Sequence, residues 1–535
     1  MPDAYSASVA ERIIDAGGNA VDAAVAAAFV LAVTYPEAGN IGGGGFMLSH
    51  MAGEAAFLDF RERAPLAADR DMYLDADANF LQEMALTGGM ASGVPGTVHG
   101  LQTAHERYGS MPWKVLLQPA IELADKGFAV PASLAAMARD KVRQTAGLTN
   151  FADTFGALAE AEVFAQPELA RTLRRIAQDP EDFYRGETAR KIVAQMQASG
   201  GIITLEDLAQ YRSVWRTPLQ YYWRGFQVLT APPPSSGGVA LLQLLGMTDF
   251  AAALLRDAPH NSARYVHLLA EIEKRVFADR AQYLGDTDFV QVPVGALLDP
   301  LYLMRRAQML NPAAISTEQQ AGPGLESHQT THFSILDRRG NAVALTYTLN
   351  WEFGSGVVVT GAGFLLNNQM DDFSAKVGVP NKFGVIGNDK NAIAPGKRML
   401  SSMTPTIFVQ DGAAALVLGT PGGSTIFTSI YQVILNVYQH GMPLQAAVDA
   451  TRFHHQLPED RLIRHDRREL PAATTAGLEA MGYTLEANSW GDLGDIQAIM
   501  RSGAAVEAVA DSRGRGTARV LQPGTAAAPP AAGVR

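Results

Sequence analysis

The sequence contains no cysteine, which excludes disulfide bonds, thiolate nucleophiles and cysteine metal sites. It has no long basic run, and a net charge of −11 argues against nucleic acid as a partner. HExxH and similar tight His/Glu spacings are absent too. The adjacent pair His454-His455 would diverge on a strand or helix, which favours a structural role over metal binding.

Long apolar runs are also missing. The longest, Ala23 to Val33, is too short to span a bilayer and follows Asp22. The first residues, Met1 to Tyr5, lack the basic start and apolar core of a signal peptide. With 535 residues, of which 47% are hydrophobic and 18% charged, the chain is expected to be a soluble globular protein with a large core.

One stretch around residue 330 predicts a β-hairpin that begins directly after a loop. Residues 331–337 and 341–350 have strand-like patterns, and Asp337-Arg338-Arg339-Gly340-Asn341 suits a three-residue turn with Gly340 in the left-handed region. Asp337 then pairs with Asn341, and counting back along both strands places Thr330 opposite Thr348. The hairpin therefore predicts two facing threonines at its loop end.

Two readings of this threonine pair are open from the hairpin alone. Threonine is common in strands, so the pair is explained by structure without any chemistry. A threonine freed by cleavage of the bond before it, however, carries its own base, the new α-amine, beside its hydroxyl. Thr331 is the rival nucleophile, but it lies one step off the register that gives Thr330 its partner.

The remaining pattern divides the chain into a helix-rich first half and a second half rich in strands and loops. This favours two stacked sheets flanked by helices. Gly42 to Gly45 indicate close packing or a positive-φ turn, since no Gly-Lys-Ser/Thr follows to suggest a phosphate loop. Residues 221–230 are predicted as one strand entering the turn 231–238. The chain from about Asp511 is predicted to be a disordered tail.

Three polar segments are candidates for a binding site. Arg61 follows a predicted strand, where it could hold an anionic group or form a surface ion pair. A dense polar cluster, residues 367–373, precedes a loop over 374–398 that is too long for a simple turn and is typical of a lid. Gly422 and Gly423 open a helix and would point free backbone amides at whatever lies before it.

Taken together, these motifs resemble the γ-glutamyltranspeptidase family of the N-terminal-nucleophile hydrolases. Eight ordered motifs carry the resemblance, and together they are far more specific than any one of them; only the first few residues and the chain beyond about Asp511 fall outside it. They are GGNAVDAAVAAAFVLAVTYPEAGNIGGGGFML, DFRERAP, ASGVPGTVHG, APPPSSGG, TTHFSILD with GNAVALTYTLN, LLNNQMDDFS, KRMLSSMTPTI and GTPGGS.

The resemblance implies an α+β fold, a four-layer α/β/β/α sandwich made as one precursor that cuts itself into two interlocked subunits. By resemblance the cut falls between Gln329 and Thr330. Residues 1–329 would form the helix-rich large subunit, and 330–512 the strand-rich small subunit with the nucleophile. The stretch 513–535 would be a disordered tail.

The resemblance also implies roles for individual residues. Thr330 is the expected nucleophile, and its hydroxyl is oriented by Thr348. A γ-glutamyl group ends in a free amino acid, so its pocket needs a cation for the α-carboxylate and anions for the α-ammonium. The expected carboxylate-binding residues are Arg61, Ser401 and Ser402; the ammonium-binding set is Asn350, Gln369 and Asp372; the oxyanion donors are the amides of Gly422 and Gly423. Phe383, in the predicted lid, is expected to shield the pocket.

The implied activity is that of a γ-glutamyltransferase and glutathione hydrolase with no metal or organic cofactor. Its partners would be glutathione and other γ-glutamyl compounds, with water, amino acids or dipeptides as acceptors. By resemblance the location is periplasmic or secreted. The family's signal peptide and initial strand are not found before the first helix, and a chain that truly starts here would be cytoplasmic. His328 also differs from common family choices, but cleavage is expected because the attacked carbonyl belongs to Gln329.

Two alternatives remain. An acylase of the same fold could act on glutaryl side chains of β-lactam precursors, although Asp372 and Gln369 favour a substrate that carries an ammonium group. An uncleaved, non-catalytic binding protein could keep the pocket, although every expected catalytic residue is present.

Overall fold

The structure is a computed structural model that describes residues 1–317, 330–376, 389–489 and 491–521. The helices, in chain order, are α1 (Ala4–Asp15), α2 (Ala20–Thr34), α3 (Gln82–Leu86), α4 (Thr97–Tyr108), α5 (Trp113–Lys126), α6 (Ala132–Thr145), α7 (Phe151–Phe155), α8 (Pro167–Gln178), α9 (Asp182–Arg185), α10 (Glu187–Ala198), α11 (Leu205–Gln210), α12 (Gly237–Phe250), α13 (Ala252–Leu255), α14 (Ala263–Tyr283), α15 (Val294–Leu297), α16 (Pro300–Gln308), α17 (Thr425–Tyr438), α18 (Leu444–Asp449) and α19 (Ala472–Met481). Short 3₁₀ turns cover Gly89–Ala91, Gln369–Asp372 and Asp389–Asn391.

The strands are β1 (Gly44–Met51), β2 (Glu54–Phe60), β3 (Phe128–Ala129), β4 (Val163–Phe164), β5 (Val214–Arg216), β6 (Leu219–Trp223), β7 (Phe226–Thr230), β8 (Thr331–Leu336), β9 (Ala342–Thr348), β10 (Thr406–Gln410), β11 (Ala413–Gly419), β12 (Phe453–His454), β13 (Leu462–His465), β14 (Thr484–Ala487), β15 (Gln497–Ser502) and β16 (Ala505–Ala510). The first large sheet has the order β5-β2-β1-β9-β8, and the second has the order β16-β15-β11-β10-β7-β6. Two small sheets, β12-β13-β14 and β3-β4, lie outside them.

The two large sheets pack face to face, with helices on both outer sides. Strands β8 and β9 of the first sheet contact β11 of the second, and β1 contacts β10. Helices α2 and α4 cover the first sheet, while α12 and α17 pack on strands of the second. One apolar core fills the space between the first sheet and its helices, and another includes the second sheet and its helices. The predicted four-layer α/β/β/α sandwich is confirmed.

The β8–β9 hairpin has the predicted register. Thr331 pairs with Tyr347 and Leu336 with Ala342, so that Thr330 lies opposite Thr348 just beyond the strand end. The Asp337 N–H donates to the Asn341 carbonyl at 2.9 Å, and Gly340 has φ of +83°. A glycine is needed there because the turn residue is left-handed. Turn chemistry and strand alternation were sufficient to predict this register.

Helix α2 packs against the hydrophobic face of the hairpin. It is buried along its whole length because nearly all of its side chains are apolar. Asn19 caps it, and Asp22 completes the capping box. The apolar residues that alternate along β9 and just beyond it lie in the same core as α2; they are Val343, Leu345, Tyr347 and Leu349. The other face of β9, which carries Thr346 and Thr348, therefore points toward the second sheet.

The glycine run 42–45 provides close packing beside the hairpin. A Cβ on Gly43 would lie 2.0 Å from the Thr348 carbonyl oxygen, and a Cβ on Gly42 would lie 2.0 Å from the Leu365 carbonyl oxygen. Both distances are far below van der Waals contact, so no larger residue fits without moving backbone. The glycines thus allow the backbone at the start of β1 to pack directly against the end of β9.

Two predicted segments differ from the structure. Residues 221–230 do not form one strand: β6 and β7 pair as a hairpin, and Arg224-Gly225 adopt positive φ at its turn. The predicted disordered tail is wrong for residues 513–521, which pack on the body. Arg513 is 3% exposed and pairs with Asp466, because the burial of this guanidinium requires acidic partners. The rest of that predicted tail, 522–535, lies outside the described residues.

A groove of about 600 Å³ runs between α1, the outer edge of β8, and strands β15 and β16. It contains none of the predicted site residues. In the described ranges, no helix is both long and apolar enough to cross a membrane.

The adjacent histidines have the predicted structural role. His454 and His455 are buried, and each uses its ring in a hydrogen bond: His454 with Thr428 Oγ1 at 2.9 Å, His455 with the Leu462 carbonyl at 2.8 Å. Burial lowers the pKa of His455 to about 3. The ring is therefore held neutral in the folded protein.

Because this buried histidine is neutral, we expect the free energy of unfolding to depend on pH in the acidic range. In the unfolded chain His455 takes up a proton near pH 6.5, whereas the folded chain resists protonation down to about pH 3. Its contribution to the free energy of unfolding should therefore fall by about 1.4 kcal/mol per pH unit below about pH 6. In His455→Gln the destabilisation relative to wild type should be largest at pH 7 and shrink toward pH 5. Urea unfolding of both proteins at pH 7, 6 and 5 measures this, and a pH-independent difference would contradict it.

Candidate active site

Four strand ends place three of the predicted site residues, Thr330, Thr348 and Arg61, at the same end of the first sheet. Strand β8 begins and β9 ends there, and antiparallel pairing places the start of β1 and the end of β2 beside them. Gly44 pairs with Thr348, and Gly45 pairs with Phe60, the residue before Arg61. Residues far apart in the chain therefore meet because the strands that carry them are neighbours.

The predicted nucleophile, Thr330, is buried with 6% exposure and lies directly before β8. The hydroxyl oxygen of its register partner Thr348 accepts a hydrogen bond from the Asn350 N–H at 2.8 Å. That bond occupies an acceptor position on Thr348 and leaves the hydroxyl proton to be donated elsewhere. Thr331 faces the other side of the sheet, since successive side chains alternate. The geometry favours Thr330 over its rival.

His332 lies two residues beyond Thr330 on the same face of β8. Its ring packs on Gly419 of β11, where a Cβ would lie 2.4 Å from the imidazole, and its Nδ1 is 2.8 Å from Thr346 Oγ1. Burial lowers the pKa of His332 to about 3, so the ring is neutral. This contact joins the nucleophile strand to β11, the strand that leads into the Gly422-Gly423 turn.

Arg61 is a buried cation, not a surface residue. It is 1% exposed, and its guanidinium donates to the Leu400 carbonyl at 3.2 Å and forms an ion pair with Asp372. Glu62 is also buried, and its carboxylate lies 3.4 Å from the same guanidinium. Of the two roles that the sequence left open, an internal anion-binding position is the one the structure supports.

Asp372 and Gln369 lie together on the 3₁₀ turn that follows the strand-like segment ending at Leu366. Gln369 Nε2 donates to Asp372 Oδ2 at 2.7 Å. The other oxygens, Asp372 Oδ1 and Gln369 Oε1, are buried and accept no hydrogen bond from the described residues. Buried acceptors without donors are costly, and an ammonium group would satisfy them.

Asn350 approaches the same turn from the end of β9. Its backbone has φ of +80°, and its Nδ2 donates to the Asn368 carbonyl at 3.0 Å. The Trp351 N–H donates in return to Asn368 Oδ1 at 3.1 Å. These bonds fix the Asn350 side chain beside the Gln369–Asp372 turn and bring the three predicted ammonium-binding residues together.

Ser401 and Ser402 follow Leu400, whose carbonyl binds Arg61. Both serines are buried. The Ser401 hydroxyl accepts from the Met403 N–H at 3.1 Å, whereas Ser402 Oγ has no partner among the described residues. The hydrogen bond to the Leu400 carbonyl thus places the two serines directly after a residue that contacts the Arg61 guanidinium.

The charges of this cluster match those of a free amino acid. In a zwitterion the ammonium and carboxylate groups share one carbon atom, so a complementary site needs its cation and anion side by side. The buried Arg61–Asp372 pair provides this arrangement, with hydroxyl and amide groups around it. A neutral group would match neither charge, and a singly charged group would match only one.

Gly422 and Gly423 form the turn between β11 and α17. They have φ of +132° and +55°, and their carbonyls accept from the Thr425 and Ile426 N–H groups. Within the described part of the chain, neither glycine N–H donates a hydrogen bond. Free amides at a helix start form a ready anion site, as the sequence predicted.

Sequence reasoning missed two residues at this site. Glu62 lies inside the DFRERAP motif next to Arg61, and burial raises its pKa to about 7. Ser236, inside APPPSSGG, hydrogen-bonds the backbone of Ser401. In both cases the motif was noticed without a role for the residue. Phe383, His328 and Gln329 lie outside the described residues, as does the middle of the predicted lid, residues 377–388. The described side chains include no group of three or more acidic or histidine residues placed for a metal ion.

A four-layer sandwich of this kind, with a threonine directly before the first residue of a strand in one of its two large sheets, is the fold of N-terminal-nucleophile hydrolases. The family model for γ-glutamyltranspeptidase matches residues 6–521, so the match extends about ten residues past the predicted end at Asp511. The chain belongs to the γ-glutamyltranspeptidase family, and the predicted resemblance is confirmed.

Individual relatives agree with this assignment. The chain is 58% identical over 524 residues to the glutathione hydrolase proenzyme of Pseudomonas aeruginosa, covering 98% of this chain and 94% of that protein. A solved γ-glutamyltranspeptidase from Pseudomonas nitroreducens, complexed with L-DON, is 53% identical with a TM-score of 0.60, and covers 61% of this chain and 97% of its own. A cephalosporin acylase from Bacillus halodurans is 28% identical with a TM-score of 0.86, covering 97% of this chain and 95% of its own.

Proposed function

We propose that the protein is a precursor that cuts its own chain between Gln329 and Thr330 and then transfers γ-glutamyl groups from glutathione or other γ-glutamyl amides. The observation that carries the proposal is the buried Arg61–Asp372 pair, which lies at the same end of the first sheet as Thr330. The P. aeruginosa relative is a proenzyme by name, which supports a cut precursor. Residues 1–329 also make up 61% of the 535-residue sequence, the share covered by the P. nitroreducens chain.

In the proposed first half-reaction Thr330 Oγ attacks the γ-carbonyl carbon of the donor. The freed α-amine of Thr330 takes the hydroxyl proton, and the amides of Gly422 and Gly423 stabilise the oxyanion. Collapse of the tetrahedral intermediate breaks the C–N bond, and the proton goes to the leaving amine. The γ-glutamyl group remains on Thr330 as an ester.

In the second half-reaction water or the amino group of an amino acid or dipeptide attacks this ester. The α-amine of Thr330 takes a proton from the attacking group and returns it to Thr330 Oγ as the ester bond breaks. Thr348 holds the hydroxyl in place throughout. Hydrolysis and transfer then differ only in which nucleophile reaches the ester.

The specificity assigned to the pocket follows from its charges. Arg61, Ser401 and Ser402 would bind the α-carboxylate, while Asp372, Gln369 and Asn350 would bind the α-ammonium. Residues 1–329 and 330–512 would remain associated as large and small subunits, because β8 and β9 lie inside a sheet whose other strands belong to the large subunit. We also propose a periplasmic or secreted location, on the family resemblance.

The purified protein tests this function directly. A denaturing gel should show two bands, from the chains on either side of the cut before Thr330. Release of p-nitroaniline from γ-glutamyl p-nitroanilide should be faster when a dipeptide acceptor is added. N-terminal sequencing of the smaller band should begin Thr330-Thr331-His332. A persistent single band together with no anilide turnover would exclude the proposal and support an uncleaved binding protein.

The glutaryl acylase remains the second candidate, because the B. halodurans acylase shares the fold over nearly the whole chain. A glutaryl group has no α-ammonium, so it would leave the Asp372 carboxylate and Gln369 Oε1 without a donor. The buried acceptors therefore favour γ-glutamyl donors.

A further inference from the structure

The proline-serine-glycine turn 231–238 has no part in the reaction described above, yet it lies directly against the serine pair of the pocket. It connects β7 to α12. Ser235 forms a parallel bridge with Ser401, and the Ser401 N–H donates to the Pro234 carbonyl at 2.9 Å. The turn therefore acts as a short backbone partner for the segment that carries Ser401 and Ser402.

Ser236 makes the closest of these contacts. It is fully buried, and both its N–H and its Oγ donate to the Ser401 carbonyl, each at 2.7 Å. Arg280 Nε, from α14, donates to Ser236 Oγ at 2.9 Å. Because the guanidinium can only donate, the serine's own proton is left to point at the Ser401 carbonyl. One residue thus supplies two directed hydrogen bonds to one peptide group.

That peptide group joins Ser401 to Ser402. Fixing its carbonyl fixes the plane of the whole peptide, because the bond is rigid, and this plane sets the direction of the Ser402 N–H. Ser402 Oγ is buried and has no partner among the described residues. Because no hydrogen bond from the described residues holds this hydroxyl, its position follows that of its backbone.

We propose that Ser236 is a positioning residue that holds the Ser401–Ser402 peptide in the orientation needed to bind the α-carboxylate of the donor. The inference rests on the proposed γ-glutamyl function and adds a residue to it. Ser236 does not touch the donor; it acts through the two serines. Arg280 supports it from behind, so a helix of the large subunit is linked to a binding segment of the small subunit through one hydroxyl.

The test compares two donors that differ only in the α-carboxylate. γ-Glutamyl p-nitroanilide carries it, and 4-aminobutyryl p-nitroanilide lacks it but keeps the ammonium group and the chain length. In Ser236→Ala, kcat/KM for the γ-glutamyl donor should fall about 5- to 10-fold, mostly through KM, because one buried hydrogen bond is lost. Turnover of the 4-aminobutyryl donor should change less than about twofold, since no carboxylate is bound.

Two further variants separate positioning from general damage. In a Ser402→Ala background, Ser236→Ala should cost much less, because the group that it positions is already absent. Thr248→Val is the matched control: it removes a buried hydroxyl that bonds the Leu244 carbonyl at 2.7 Å, far from the pocket, and should leave the ratio of the two donors unchanged.

Each outcome is decisive. If wild type hydrolyses neither donor, the proposed function fails. If wild type is active but Ser236→Ala slows both donors equally, the function stands and the positioning role is overturned. If Ser236→Ala does not give soluble cleaved protein, Ser236→Cys, which keeps a weak donor of similar size, should show the same selective loss; an equal loss for both donors would again overturn the inference.

Discussion

Thr330→Ala should give a single uncleaved chain with activity reduced by about 10⁴- to 10⁶-fold or more. The same side chain is the proposed nucleophile of both events, so its removal stops self-cleavage and leaves no atom to form the ester. The residue lies just before the β8–β9 ladder, so a smaller side chain there leaves the strand pairing intact. A denaturing gel and γ-glutamyl p-nitroanilide hydrolysis provide the two measurements.

Thr331→Ala is the matched control for this result. The two threonines are adjacent and both buried, but Thr331 faces away from the second sheet. It should still cleave and retain most of its activity. If Thr331→Ala were the inactive, single-band variant and Thr330→Ala were cleaved, the nucleophile assignment would have to move by one residue. The hairpin register makes that outcome incompatible with Thr348 as partner.

Asp372→Ala should lower kcat/KM for γ-glutamyl p-nitroanilide by about 10²- to 10⁴-fold while self-cleavage continues. The carboxylate is the only full negative charge assigned to the α-ammonium, and it also neutralises Arg61, which is buried. Its removal leaves a buried guanidinium with one anionic partner, Glu62, and leaves the donor's ammonium without a counter-charge. Steady-state kinetics on cleaved enzyme measures the loss.

Asp372→Asn and a glutaryl donor sharpen this experiment. Asparagine keeps the shape of the side chain but removes its charge, so a large loss in this variant assigns the effect to charge. Glutaryl p-nitroanilide lacks the ammonium, so wild type should turn it over poorly and Asp372→Asn should lose the preference between the two donors. Wild-type turnover of the glutaryl donor equal to that of the γ-glutamyl donor would instead identify the acylase.

Much of this arrangement could be predicted because it depends on local patterns. The Thr330–Thr348 register followed from one turn and two alternating strands. The sandwich and the site residues came from motif resemblance, not from spacing. The structure places Thr330, Thr348 and Arg61 at strand ends on the same side of the first sheet and links Arg61 to Asp372 and Gln369, while the roles of all the site residues remain proposals.

The errors also have physical causes. The β6–β7 hairpin was predicted as one strand because its two-residue turn, Arg224-Gly225, interrupts the pattern only briefly. The segment 513–521 was predicted to be disordered from its composition, which does not report partners. The Arg513 side chain is buried and the Arg515 side chain is partly buried because their guanidinium groups pair with Asp466 and Glu37, which lie far from them in the chain.

The sequence by itself determined the hairpin, its facing threonines and, through its motifs, the family. Only the tertiary structure decided that Arg61 pairs directly with Asp372, that Glu62 is buried beside them, and that Ser236 holds the Ser401 peptide. The reason is distance along the chain. Turn and strand patterns act over a few residues, whereas the Arg61–Asp372 and Ser236–Ser401 contacts join segments more than a hundred residues apart. Arg61 and Glu62 are neighbours in the chain, but their burial depends on the same long-range packing.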